Sequence, residues 1–266
     1  MPKITINHDE IAQKIFYTDN RVRNARPAYV FIHGAGGTHL HWPVELRRIE
    51  DAAAYTLDLP GHGKSDHPGH DKIEEYAAVV RAFVEAILAK DGSAERVILV
   101  GHSMGGAIVQ TIALEPPEWL TGLVLIGTSA RMRVSDQILD GLLTDFPKAV
   151  DFITKLCWSG SAVPAVRIAL AAREMREILP EVVHGDFVAC NQFDIRERVS
   201  EIAAPTLVLG ASDDVMTPFK HNSSLAQQIP NAKLEKIDKS GHMMVLENPL
   251  DITTAIQKFA EQLSLA

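Results

Sequence analysis

Gly101-His102-Ser103-Met104-Gly105 is a G-x-S-x-G pentapeptide set between an apolar run, Arg96–Val100, and a segment of helical pattern that begins near Met104. With Gly and Ser each at about 7 % of residues, chance supplies such a pentapeptide in roughly one chain in ten of this size. Its position is therefore what gives it meaning. A serine at a sharp strand-to-helix turn projects its Oγ out of the sheet, and flanking glycines relieve the crowding. Backbone N–H groups at the positive end of the helix then stand beside it. A serine hydroxyl is a weak nucleophile and needs a base. Among eleven histidines, His242 in Ser240-Gly241-His242-Met243 follows the final apolar run. It stands on a loop near the C-terminal edge of the expected sheet, where open α/β sheets place their sites. The imidazole needs an acceptor to fix its tautomer and stabilise the imidazolium. Asp213 and Asp214 compete for that role, and two adjacent carboxylates cannot both face one histidine. Asp214, which precedes Val215-Met216-Thr217-Pro218, is favoured, with Asp213 as the alternative.

The elements that must position these groups are visible as alternating patterns. Strands are expected at Lys3–Asn7, Gln13–Thr18, Ala28–Ile32, Tyr55–Leu59, Arg96–Val100, Gly122–Ile126, Thr206–Leu209 and Lys233–Ile237. Most are continuous apolar runs, as suits strands buried on both faces. Helices fall between them. In Glu75–Ala89 the residues Tyr76, Val79, Val80, Phe83 and Ile87 form a stripe of helical period, closed by Gly92. Met104–Leu114, Phe219–Gln228 and Leu250–Leu263 are the others. This alternation predicts an α/β fold with a mostly parallel eight-stranded sheet and helices on both faces. One stretch breaks it: from Arg131 to Glu201 only helical pieces fit, at Ser135–Leu143, Ala149–Leu156, Val163–Leu179 and after Pro180. That is a helical insertion after the sixth strand. The expected division is a core of 1–130 and 202–266 with an inserted segment of 131–201.

Composition narrows the class. The chain has 266 residues, 46 % hydrophobic and 23 % charged, which argues against disorder, collagen or coiled coil. Lys plus Arg is 26 and Asp plus Glu 34, a net charge of −8, so the electrostatic reason to expect nucleic-acid binding is absent. Two cysteines, Cys157 and Cys190, make neither a disulfide scaffold nor a four-cysteine zinc site and read as reduced core thiols. No signal-peptide pattern opens the chain and no apolar run reaches the roughly 18 residues of a membrane span, so a cytoplasmic location without membrane contact is expected.

The chain order Ser103, Asp214, His242 resembles the α/β-hydrolase fold superfamily, and the likeness covers nearly the whole chain. His33-Gly34-Ala35-Gly36-Gly37 is similar to the family's oxyanion loop, and Asp58-Leu59-Pro60-Gly61-His62-Gly63-Lys64-Ser65 to its D-x-P-G-x-G-x-S segment. Gly101–Gly106 resembles the nucleophile elbow. Pro205 opens the run matching the seventh strand; the family's acid commonly lies nine residues later and four before the next proline. Both counts reach Asp214, although Gly210 alone would favour Asp213. Gly241-His242 followed by Glu247-Asn248-Pro249 resembles the terminal histidine segment, and the separation 242 − 214 = 28 is what such relatives show. The resemblance implies an oxyanion hole of two backbone N–H groups, those of Ala35 and Met104. It also makes the insertion a cap, or lid.

Several bland or rival readings apply. His33, His39 and His41, and His62, His67 and His70, match neither H-E-x-x-H nor H-x-H-x-D-H, so no metal is expected; His33 reads as a structural hydrogen-bonder. Gly61–Ser65 imitates the end of a P-loop, but Asp58 stands where its first glycine belongs and would repel a phosphate. Gly34–His39 lacks the third glycine of a dinucleotide fingerprint. Arg131 and Arg133 read as solvated surface, with a substrate carboxylate as the alternative partner. Trp42, His102, Trp158 and Met243 are the candidate substrate contacts, Trp42 either walling the site or anchoring its loop.

The reading is a cofactor-free serine hydrolase acting on a small-molecule carboxylic ester, lactone or thioester. Relatives that open epoxides or displace halide use an aspartate where this chain has Ser103. Hydrolysis of C–C bonds in β-diketone-like ring-cleavage products, enol-lactone hydrolysis and perhydrolase chemistry are the alternatives. A small-molecule receptor on the same fold is the non-enzymatic one.

Overall fold

The strands are β1 (Lys3–His8), β2 (Ile11–Asp19), β3 (Ala28–Ile32), β4 (Ala54–Leu57), β5 (Val97–His102), β6 (Leu120–Ile126), β7 (Thr206–Ala211) and β8 (Ala232–Ile237). In the computed structural model, which describes residues 2–8, 11–20, 22, 27–49, 52–91, 96–159 and 163–264, they form one sheet in the order β1-β2-β4-β3-β5-β6-β7-β8. β2 runs antiparallel to both of its neighbours, and all other pairs are parallel. The mostly parallel eight-stranded sheet expected from the pattern is present.

Adjacent residues of the central strands are buried on opposite faces. Val30 and Ile32 cluster with residues of α2 (Ile73–Asp91), α3 (Met104–Leu114) and α8 (Phe219–Gln228). Tyr29 and Phe31 cluster with residues of α1 (Val44–Arg47) and α10 (Pro249–Ser264). A strand covered on both faces has no polar side, so its sequence reads as a continuous apolar run. β8 is the edge strand, and its exposed Lys233, Glu235 and Lys236 discourage pairing with another sheet.

The order β4-β3-β5 contains the chain's change of direction. From β3 the chain pairs with β4 on one side, then crosses through α2 to pair as β5 on the other. Open parallel sheets form their crevice at such a switch point, outside the carboxyl ends of the strands. The loop after β3 and the turn after β5 emerge together there.

Between β6 and β7 lie α4 (Asp136–Thr144), α5 (Phe146–Leu156), α6 (Ala165–Arg176) and α7 (Pro180–Gln192). They bury Ile138, Val150, Ile153, Val183 and Phe187 among themselves, and Met243 from the opposite end of the chain joins that cluster. Arg131 and Asp194 form an isolated antiparallel bridge where the segment begins and ends.

Some boundaries differ from expectation. The fourth strand stops at Leu57 instead of Leu59 because Leu59 N–H donates to His33 Nε2 at 3.0 Å and leaves the ladder. α1 and the four-residue α9 (Met244–Glu247) are too short to carry a period. Gly92, expected to close α2, lies outside the described residues.

The tightest backbone packing is at Gly105. A Cβ there would collide with Ile32 O and lie 2.7 Å from His33 O, whereas one on Gly141 of α4 would meet only Ala149 Cβ at 3.3 Å. Gly105→Ala is expected to lose about 2 kcal/mol or more, as overpacked cores do. Gly141→Ala should stay within about 1 kcal/mol of the unaltered chain. Urea unfolding midpoints of the two variants check this ordering.

Candidate active site

Ser103 sits at the junction of β5 and α3 with φ 54° and ψ −117°. A non-glycine residue held at positive φ costs on the order of 1–3 kcal/mol and persists only where its surroundings enforce it. Here they do. Ser103 N–H donates to Ile126 O at 2.9 Å, and its carbonyl accepts Gly106 N–H at 2.8 Å. A Cβ on Gly101 would strike Gly105 O. Among the described residues the Met104 N–H has no acceptor, as expected of the first turn of a helix.

Asp214 and His242 meet from two loops. His242 Nδ1 donates to Asp214 Oδ2 at 2.8 Å, and both side chains are buried. Asp214 Oδ1 accepts the N–H groups of Met216 and Thr217, each at 2.8 Å, so the carboxylate is aimed before the histidine arrives. Asp213 is exposed and accepts from Ser212 Oγ at 2.9 Å. With the His242 proton on Nδ1, its Nε2 carries a free lone pair.

The His242 loop is held in turn. His102 Nε2 donates to His242 O at 2.9 Å, with the two rings 4.8 Å apart. Burial and the neighbouring His242 push His102 well below the ordinary histidine pKa, so it is neutral. Met243 N–H donates to Cys157 O at 2.8 Å, at the end of α5. Glu247 accepts Gly241 N–H at 2.9 Å and Ser159 N–H at 3.2 Å.

The loop after β3 presents Gly34 and Ala35 beside the serine; a Cβ on Gly34 would lie 3.0 Å from Ser103 Cβ. Gly34 O accepts Gly37 N–H at 3.1 Å and His33 Nδ1–H at 2.8 Å. His33 Nε2 accepts from Leu59 N–H, which fixes the tautomer. Burial and the nearby His62 push its pKa well below the usual value. Ala35 N–H has no acceptor among the described residues.

Ser103, His242, Gly34 and Ala35 line a cavity of about 450 Å³, walled on the opposite side by Ile153, Trp158, Met175 and Phe187 of the inserted segment. His102, Trp158 and Met243 also line it. Trp42 does not: its ring packs 5.1 Å from Phe31 and clusters with Leu46 in the core beside α10, so it anchors the loop. Cys157 and Cys190, expected as core thiols, are buried and also face the cavity. Three arginines, Arg131, Arg133 and Arg196, line the solvent side, and among the described residues no Asp or Glu lines the cavity.

The histidine clusters have other partners. His39 Nδ1 and N–H both meet Asp58 Oδ1, at 2.8 and 2.7 Å. His70 pairs with Glu75 at 3.1 Å. His41 lines the cavity, and burial, then His62, push it down to about 4. Among the described residues no three His, Cys, Asp or Glu side chains are grouped to hold a metal ion. One buried acid was missed. Asp186 of α7 accepts from Gly36 N–H, His62 Nε2 and Tyr76 Oη. The signal was present: with Val183, Phe187 and Cys190 it occupies the apolar stripe of a helical period, where a carboxylate needs partners.

The family model described as "Alpha/beta hydrolase family" matches residues 29–255. A pimeloyl-(acyl-carrier protein) methyl ester esterase of Pectobacterium carotovorum subsp. carotovorum (strain PC1) is 27 % identical over 248 residues, covering 87 % of this chain and 93 % of that one. A solved structure of a thermophilic esterase has a TM-score of 0.83 and 31 % identity, covering 98 % of each chain. The enol-lactonase from Burkholderia xenovorans LB400 has a TM-score of 0.87 at 19 % identity, covering 97 % and 99 %, a likeness of fold alone.

Burial, together with the Asp214 and Glu247 carboxylates, pushes the Cys157 thiol up to about 12, and burial raises Cys190 too. At pH 8 only about one Cys157 in ten thousand is then a thiolate, the form that reacts. Iodoacetamide is expected to leave both thiols unmodified in the folded protein and to alkylate both in urea, read by intact mass.

Proposed function

The chain belongs to the alpha/beta hydrolase family, and we propose that it is a serine hydrolase cleaving carboxylic esters through an acyl-enzyme. The observation that carries this reading is the Asp214–His242 hydrogen bond, which leaves His242 Nε2 free beside a cavity that Ser103 also lines. Ser103 Oγ attacks the ester carbonyl while His242 Nε2 takes its proton. Asp214 stays ionised and stabilises the imidazolium. The Ala35 and Met104 N–H groups hold the oxyanion, each such donor being worth about 2.7–4 kcal/mol of barrier in comparable sites. The tetrahedral intermediate collapses, and His242 passes its proton to the departing alkoxide. Water, deprotonated by His242, then cleaves the acyl-Ser103 ester, releasing the acid and restoring the serine. Residues 131–201 act as a cap that excludes bulk water and shapes the acyl site. The methyl ester esterase and the thermophilic esterase resembled by this chain are named for the same bond.

The lining supports a substrate class as well. Arg131 and Arg196 share Asp194, at 3.5 and 2.7 Å, while Arg133 has no ion-pair partner among the described residues. Unopposed positive charge in a cleft concentrates anions, and guanidinium matches a carboxylate bidentately. The substrate is an ester with an anionic group at the end away from the scissile carbonyl.

A fluorophosphonate should label Ser103, and Ser103→Ala should abolish both labelling and turnover of a short-chain p-nitrophenyl ester; persistent turnover by that variant would sink the mechanism. Asp214→Asn should lower kcat by roughly 10³–10⁴, because the wrong tautomer results, and Asp213→Asn by far less. Monomethyl adipate should be hydrolysed with higher kcat/KM than dimethyl adipate, the advantage falling about 5- to 10-fold in Arg133→Ala and shrinking with added salt. Preference for the diester, unchanged in Arg133→Ala, would remove the anionic substrate class and leave the Ser103 chemistry standing.

A further inference from the structure

We propose that Asp186 and His62 are a positioning pair for the oxyanion loop: they tie α7 of the cap to the Ala35–Gly36 peptide and so keep the Ala35 N–H aimed into the cavity. This rests on the serine-hydrolase reading above.

Two consecutive peptide planes meet at Ala35. In the Gly34–Ala35 plane the carbonyl is held by Gly37 N–H and His33 Nδ1–H. A trans peptide directs its N–H opposite to its carbonyl, so these two bonds turn the Ala35 N–H away from them. The next plane, Ala35–Gly36, is held by its own N–H, which donates to Asp186 Oδ2 at 2.8 Å. With both planes pinned, the φ and ψ of Ala35 are determined. Gly36 has φ +61°, and Met175 of α6 packs so closely that a Cβ there would lie 2.9 Å from Met175 Cε. The loop therefore has little room to find another acceptor for that N–H.

Asp186 is fully buried, and its three donors come from three different parts of the fold. Besides Gly36 these are Tyr76 Oη of α2, at 2.7 Å, and His62 Nε2 of the turn after β4, at 2.8 Å. His62 is the informative member. Its Nδ1 lies 2.9 Å from Pro60 O and its Nε2 faces Asp186, so both ring nitrogens face acceptors. A neutral imidazole satisfies one of them and an imidazolium both. The groups facing His62 are the Asp186 and Asp58 carboxylates, the Tyr76 hydroxyl, and the rings of His33, 4.9 Å away, and His41, both depressed in pKa. Burial alone would lower the His62 pKa; the Asp186 charge and hydrogen bond outweigh it, and the pKa is raised. The charged pair is thus complete below the ordinary histidine value of about 6.5 and is lost as pH rises through the elevated one. Deprotonation leaves either Pro60 O without its donor or Asp186 with two donors in place of three, and the carboxylate that anchors the loop is held less firmly.

The pair predicts an alkaline limb in kcat that belongs to His62. In Asp186→Asn, kcat for a short ester should fall at least about 10-fold, by partial loss of one oxyanion donor, with KM within about 3-fold. The alkaline limb should disappear or move to lower pH, while fluorophosphonate still labels Ser103 more slowly. In the unaltered enzyme, ¹⁵N-histidine NMR should show both His62 nitrogens protonated at pH 6, with one proton lost along the same limb at a midpoint above the ordinary histidine value of about 6.5. That measurement decides the matter if Asp186→Asn does not fold. A wild-type kcat and unmoved limb in the folded variant, or a His62 midpoint at or below the ordinary histidine value of about 6.5, overturns the pair while leaving the Ser103 chemistry intact. Turnover by Ser103→Ala instead removes the underlying reading, whatever Asp186 does.

Discussion

The contact on which the site depends is between backbones: the first turn of α3 against the carboxyl end of β3. Gly105 is pressed onto Ile32 O and His33 O, and Gly34 onto Ser103 Cβ and His102 O. No side chain fits between them, and the two glycines are what allow the approach. Its consequence is geometric. The N–H groups of Met104 and Ala35, one from a helix start and one from a loop, have no acceptor among the described residues and flank the serine in sequence and packing, as the proposed oxyanion hole requires. In the proposed mechanism these donors are backbone groups held by the fold before any ligand enters, which is the condition under which such donors are most effective.

The helices between β6 and β7 extend this constraint beyond a wall over the cavity. They grip the loop after β3 from its far side and the His242 loop as well. Cys157 O takes Met243 N–H beside His242, and Asp186 takes Gly36 N–H beside Ala35. Met243 completes the apolar cluster of the helices themselves. A segment joined to its neighbours by buried polar bonds and shared apolar packing cannot swing open without breaking both kinds of contact. Motion that admits substrate is then more economical at the solvent side, near Arg131, Arg133 and Arg196, where side chains are exposed and the bonds are surface ion pairs worth little.

Local order is what the sequence makes legible. Ala28–Ile32, Met104–Leu114 and Phe219–Gln228 are bounded by the same residues in pattern and in structure, because apolar period, Gly and Pro are local signals. The family resemblance, through the counts from Pro205 and to Pro218, favours Asp214 over Asp213, and Asp214 is the carboxylate 2.8 Å from His242. Partners across the fold were not legible. Asp186 meets Gly36 across 150 residues and His62 across 124, and nothing in a helix of ordinary pattern says which loop its one buried acid will face. Trp42 shows the same limit: its type suits a cavity wall or a core equally, and only the packing of Phe31 and Leu46 decides.

Net charge is the property most easily misread. At −8 the chain as a whole repels anions at long range, but screening confines such effects to about 8–10 Å at ordinary ionic strength. What a ligand meets is the local lining, and among the described residues that holds three arginines and no carboxylate. Asp194 pairs with Arg131 and Arg196 from outside the lining, while Asp58, Asp186 and Asp214 lie behind it, each held by a histidine and at least one backbone N–H. The charge of these last three is spent on holding histidines and loops in place. Asp194 offsets Arg131 and Arg196 in part, so the guanidinium left unopposed in the lining is that of Arg133, which has no ion-pair partner among the described residues.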